Sequence, residues 1–154
     1  MSEPAYKIGD SGPAGGIVFA IIDGKGYECA PEDFDILMTW QEAIDPCKRL
    51  CLGGSTDWYL PSKEELNLLY TVLAKNGQGN FIKNGYWSSS QDDKYNYAWM
   101  QYFVDGGQHY SSKGSKYYVR AVRVFDLCPL TKEQKAVKRL KNLGYIIVKG
   151  GELV

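Results

Sequence analysis

The chain has 154 residues, 18 Lys+Arg against 18 Asp+Glu, and 44% hydrophobic residues. That is the size of one domain with its own core and a small appendage. The zero net charge speaks against wholesale nucleic-acid binding, and no run approaches the roughly 18 apolar residues that a membrane helix needs.

The start, MSEPAYKIGDSG, has no basic stretch followed by an apolar one, so no secretion signal is read there. Residues 9–16 (GDSGPAGG) form a glycine-rich turn region. It leads into the apolar run IVFAII and carries neither GK[ST] nor GxGxxG, so a phosphate cradle is not expected. Asp23-Gly24 and Lys25-Gly26 signal a hairpin, with residues 27–30 as the return strand. Thr39-Trp40-Gln41-Glu42 is a capping box, and Trp40, Ile44, Cys47 and Cys51 follow at helical spacing. Ser62-Lys63-Glu64-Glu65 opens a second helix with Leu66, Leu69, Tyr70 and Leu73 on one face.

Residues 74–85 are turn-rich, and the period then changes to two. Trp99, Gln101 and Phe103 are expected to point one way, with Met100, Tyr102 and Val104 pointing the other. Asp105-Gly106-Gly107 reads as a hairpin turn and residues 117–125 as a strand. Thr131 opens a third helix with Val137, Leu140 and Leu143, stopped by Gly144 before a short strand over 145–148. The element order is α+β rather than alternating βαβ, with a domain over 1–128 and an appendage over 129–154.

Cys29, Cys47, Cys51 and Cys128 lack paired zinc spacing. They are read as thiols in or near the core, with a Cys29–Cys128 bridge as the alternative. Residues 86–123 hold seven of the twelve tyrosines, interleaved with Ser, Asp, Asn, Gln, Lys and Gly. Tyr offers a large stiff face with a polar tip, and the small polar residues add adaptable hydrogen bonds, as in antibody-type surfaces. Enzyme pockets more often combine apolar walls with a few converging acids, bases or nucleophiles. Ser88-Ser89-Ser90 has no GxSxG elbow, and His109 is the one histidine. The reading is therefore a non-enzymatic surface without a cofactor or metal.

The ordered motifs IGDSGPAGGIVF, APED, TWQEA, DWYLPSKEELNLLY, YWSSS, YAWMQYF and YYVRAVR resemble the DUF1566 family. That resemblance covers residues 8–125 and implies a C-type-lectin-like fold, with two helices, a small mixed or antiparallel sheet and a long Tyr-rich strand-and-loop half. It also implies kinship with the variable proteins of diversity-generating retroelements and with adhesin domains, phage or bacterial. Trp58, Leu60, Trp87, Trp99 and Phe103 would form the framework, with Arg120 or Arg123 pinning loops. Gln91, Asp92, Asp93, Lys94, Tyr95, Met100 and Tyr102 would face outward, together with Gln108, His109, Tyr110, Ser111, Lys116 and Tyr117. This array would contact a protein or glycan ligand on a cell surface, with no membrane insertion. Residues 129–154 would pack back on the domain or serve a homo-oligomer or a virion. The rival expectation is a fixed structural or adhesion module whose Tyr-rich face packs on another subunit. The calcium-dependent sugar-binding motifs of lectins (EPN or QPD, with WND) do not occur here.

Overall fold

The structure is a computed structural model that describes residues 6–92 and 95–127. The expected third helix and last strand, Cys128, Asp93 and Lys94 lie outside the described residues.

Among the described residues, two antiparallel three-stranded sheets and two helices make up an α+β domain. The first sheet begins with β1 (Ile17–Ile22) and β2 (Lys25–Cys29). Asp23 (φ 51°) and Gly24 (φ 76°) join them with both central residues left-handed, as a tight hairpin turn requires. The return strand therefore starts at Lys25, two residues before the sequence expectation. β6 (Val122–Asp126) pairs with β2 and gives the order β1-β2-β6. The second sheet is a meander of β3 (Gly85–Asp92), β4 (Tyr97–Tyr102) and β5 (Gln108–Ser112).

Both expected capping boxes close reciprocally. Thr39 caps α1 (Trp40–Arg49) and Ser62 caps α2 (Lys63–Leu68), each exchanging bonds with the Glu three residues on. α2 continues through a π-helical turn (Leu69–Leu73) and a 3₁₀ turn (Ala74–Asn76), stopped by Gly77 at φ 74°. Cys51 does not extend the apolar stripe of α1. Leu50 leaves the helical backbone (ψ 130°), Leu50 and Leu52 fold back against the core, and Cys51 is left exposed.

The expected strand over 117–125 is regular only from Val122. Upstream, the backbone bonds in turn to several neighbours. Tyr117 exchanges bonds with Met38, Tyr118 donates to the Gly85 carbonyl, and Val119 accepts from Phe34 N–H. A segment shared among three partners does not settle into one ladder.

Among the described residues the core has two clusters. Trp40, Trp58, Leu60, Trp87, Met100 and Val119 belong to the first; Phe19, Leu66, Leu69, Leu73, Tyr86, Phe103 and Val122 belong to the second. Each fully buried Leu, Phe or Val contributes roughly 1.5–3 kcal/mol of transfer free energy. Strand alternation in β3 sends Tyr86 to one cluster and Trp87 to the other, so this strand ties them together.

Candidate functional site

The glycine-rich loop does cradle an anion, and the anion is the chain's own. The fully buried Glu28 carboxylate accepts from Ala14 N–H (3.3 Å) and Gly16 N–H (2.8 Å). A Cβ on Gly12 would stand 2.6 Å from that carboxylate, and one on Gly16 would stand 2.3 Å from the Cys29 carbonyl oxygen. Arg123 Nη1 donates to Glu28 (2.7 Å) and its Nε to Asp57 (2.8 Å). Arg120, also buried, donates to Asp33 (2.7 Å) and to the carbonyls of Ala30 (3.0 Å) and Gly79 (2.9 Å). Tyr86 donates to the other Asp33 oxygen (2.7 Å); burial, then that bond, pushes its phenol well above the usual tyrosine range. Both arginines pin loops, as the family resemblance implies.

The framework holds out a three-stranded sheet whose two faces are covered at staggered places. α2 lies over one face. Gln101 is fully buried there and donates to Asn67 (2.9 Å), and Gln108 donates to the Lys63 carbonyl (3.2 Å). Beyond the first turn of α2 that face opens. Trp99 stacks on Tyr110 at 4.0 Å between centroids, and Lys63 Nζ sits 3.5 Å over the Trp99 ring. Tyr97 stands two residues along the same strand, with Tyr95 beside it at 6.4 Å. Tyr95, Tyr97 and Tyr110 are 55%, 45% and 51% exposed, and Trp99 is half-buried. This makes one aromatic row, with Lys63 at its inner end.

The opposite face is covered by the segment carrying Tyr117. Met100 is 1% exposed there, in the cluster with Trp87. Tyr117 stands edge-on to Trp87 at 4.8 Å, and its hydroxyl lies 2.9 Å from Ser111 Oγ. Only the far end of this face opens, where Tyr102 meets the rings of His109 (5.5 Å) and Tyr117 (6.4 Å). A hydrogen bond with Tyr117 raises the Tyr102 phenol pKa.

The expected outward residues therefore do not form one array. Tyr95, Tyr110 and Gln108 belong to the α2 face, whereas Tyr102, His109, Ser111 and Tyr117 belong to the other. The exposed Gln91 pairs across from Ala98 and accepts from Lys113 (2.7 Å). Asp92 is half-buried at the end of β3, and Lys116 is exposed in the turn after β5. Met100 is a correction, because its side of β4 is closed by Trp87 and Tyr117. Tyr117 is partly one, since its ring and both backbone groups are engaged by the framework. Trp99 was expected in the core; it lies beyond the cover of α2, and its ring carries the aromatic row instead. Sequence reasoning missed Tyr97, Trp99 and Lys63 as site residues. The usable signal was the two-residue phase from Tyr95 through Tyr97 to Trp99.

The three serines are structural. Ser88 Oγ donates to the Trp99 carbonyl (2.7 Å) and Ser90 Oγ accepts from Lys63 N–H (2.9 Å), while Ser89 N–H donates to the Pro61 carbonyl (2.7 Å). Among the described residues, no three His, Cys, Asp or Glu side chains gather as metal ligands, and no helix is long and apolar enough to cross a membrane.

A framework pinned by two arginines therefore carries an exposed aromatic row. The family model described as the Lcl C-terminal domain matches residues 25–123, from β2 into β6. The chain belongs to that family, which is related to the DUF1566-type domains whose motifs it carries. A comparison with curated proteins finds no match.

Proposed function

We propose that this protein is a non-enzymatic recognition module on a C-type-lectin-like scaffold. Its contact surface is the row of Tyr95, Tyr97, Trp99 and Tyr110 with Lys63. The observation that carries the proposal is the exposure of Tyr97 and Tyr110 on neighbouring strands, with Tyr95 in the turn before them, beside a Trp–Tyr stack. Exposed aromatic groups of this size mark contact surfaces more often than solvated ones. Stiff rings on a fixed sheet lose little ordering entropy on binding, and such anchors supply most of the energy of an interface. The ligand is a protein or glycan displayed on a cell surface.

Retroelement diversification is the finer part of the proposal. It fits Tyr95, Gln108 and Tyr110, which reach solvent on the face that carries the row, and does not fit buried Met100. Sequencing the gene across a population would show substitutions gathered at those positions; a uniform gene sinks this part alone.

The binding test is capture on immobilised glycans and on intact cells. Tyr97→Ala and Tyr110→Ala should each weaken capture by about 1 kcal/mol or more, with Tm little changed. Tyr102→Ala, on the opposite face, should leave capture as in the parent. Parental capture by both row variants would refute the assignment.

A further inference from the structure

We propose that the outer edge of β5 pairs antiparallel with β5 of a second copy, about a two-fold axis at Tyr110, joining the two meanders into one six-stranded sheet. The inference rests on backbone edges and is independent of whether the aromatic row binds a ligand.

The two sheets have four edge strands: β1, β6, β3 and β5. Three are covered. β1 bonds to the incoming segment, with Gly9 N–H to the Val18 carbonyl (2.8 Å) and Val18 N–H to the Asp10 carbonyl (2.9 Å). β6 exchanges bonds with Tyr59 at Val122. β3 takes Tyr118 at Trp87 and Pro61 at Ser89. Among the described residues no strand pairs with the outer side of β5, and the one backbone bond there is local, from Ser115 N–H to the Ser112 carbonyl (2.9 Å).

The direction of its backbone groups follows from the ladder. Tyr102 N–H donates to the Gly107 carbonyl (2.9 Å) at one end, and Lys113 N–H donates to the Asn96 carbonyl (3.1 Å) at the other. Antiparallel pairs alternate between bonded and non-bonded, so His109 and Ser111 turn their N–H and C=O toward β4. Gln108, Tyr110 and Ser112 turn theirs outward. Nothing in β5 blunts this edge. Its register against β4 runs without a bulge, and Gln-His-Tyr-Ser-Ser contains neither Pro nor Lys.

The strand is also complementary to itself. A two-fold axis at Tyr110 sets Tyr110 against Tyr110, Gln108 against Ser112 and His109 against Ser111, with no like charges opposed at neutral pH. The two Tyr110 rings then meet on the α2 face, and the two aromatic rows become one surface across the sheet. A five-residue edge makes a small interface, so the dimer is weak and concentration-dependent.

The test is sedimentation velocity of the full chain from about 1 to about 500 μM, the range in which an interface of this size dissociates. A monomer–dimer equilibrium is expected. Tyr110→Lys, which sets two ammonium groups across the axis, should raise the dimer Kd at least about tenfold with an unchanged circular dichroism spectrum. Tyr110→Pro deletes an outward N–H without removing a bond to β4 and should do the same. Tyr97→Ala should leave the dimer intact, even where it abolishes ligand capture. Amide exchange of Gln108 and Tyr110 should slow as concentration rises. A monomer at every concentration overturns the proposal. So does a dimer indifferent to both Tyr110 variants, or one whose Gln108 and Tyr110 amides stay unprotected.

Discussion

Glu28 is the residue on which the amino-terminal loop depends. Its carboxylate is fully buried and receives two backbone N–H groups and one guanidinium, and Arg123 shares its remaining donors with Asp57. Burying a carboxylate is costly, and only this set of donors offsets the cost. Removing one member of a buried pair leaves the other charged and unmatched, at about 3–5 kcal/mol. Glu28→Ala should therefore lower unfolding stability by about 3 kcal/mol or more. Asp57 meets the same arginine with its side chain 59% exposed, so Asp57→Asn should cost under about 1 kcal/mol. Urea unfolding of the two variants checks the contrast; equal losses would refute it. The cysteines allow a second test. Burial pushes the Cys47 thiol up to about 12 and Cys29 up to about 11, whereas Cys51 is exposed. Thiolate is the reactive form, so neither buried thiol is poised as a nucleophile. Iodoacetamide on the native protein should label Cys51 well before Cys29 and Cys47, as peptide mass spectrometry would show. Early labelling of Cys47 would mean a thiol more open than its burial allows.

At the scale of elements, β4 shows where local pattern stops being informative. Its alternation is real: Tyr97, Trp99 and Gln101 share one face, and Ala98, Met100 and Tyr102 share the other. Neither face is simply inside or outside. α2 covers Gln101 and leaves Trp99 and Tyr97 open, while Tyr117 and Trp87 close over Met100 and leave Tyr102 open. Met100→Ala should consequently cost about 2–4 kcal/mol, as a core truncation does, and Tyr102→Ala well under that. Thermal melts of the pair decide it; similar losses would show that the staggered cover is wrong. The legible parts were those whose cause is local. Thr39 and Ser62 each carry their capping partner three residues on, and Asp23-Gly24 carries its own turn geometry. The split of the tyrosines between two faces was not legible, because the covering groups come from residues 63–67 and 117. Nor did anything near Glu28 mark it as the loop's anion, since its partners Arg123 and Ala14 are 95 and 14 residues away.

Over the whole molecule, the question is whether two core clusters make one cooperative unit. Trp40, Trp58 and Trp87 all sit in the first cluster, and the second contains no tryptophan among its buried residues. Intrinsic fluorescence therefore reports the first cluster, once Trp99 is replaced by Phe to silence the exposed row. The second is reported by amide exchange in β1 and β2, which supply Phe19 and Cys29. Several ties cross between the clusters. Tyr86 and Trp87 are adjacent on β3, Trp58 and Leu60 of the first cluster flank Tyr59, which exchanges backbone bonds with Val122 of the second, and Arg120 joins the Ala30 carbonyl to Asp33 and Gly79. Opening one cluster would strand buried donors and a guanidinium belonging to the other, at a cost of several kcal/mol. The expected outcome is a single transition. The free energy from the tryptophan signal should equal the opening free energy of the slowest β1 and β2 amides. If those amides exchanged at a clearly lower free energy, the first sheet would open on its own, and the bonds from Arg123 to Asp57 and from Val122 to Tyr59 would not couple it to the rest.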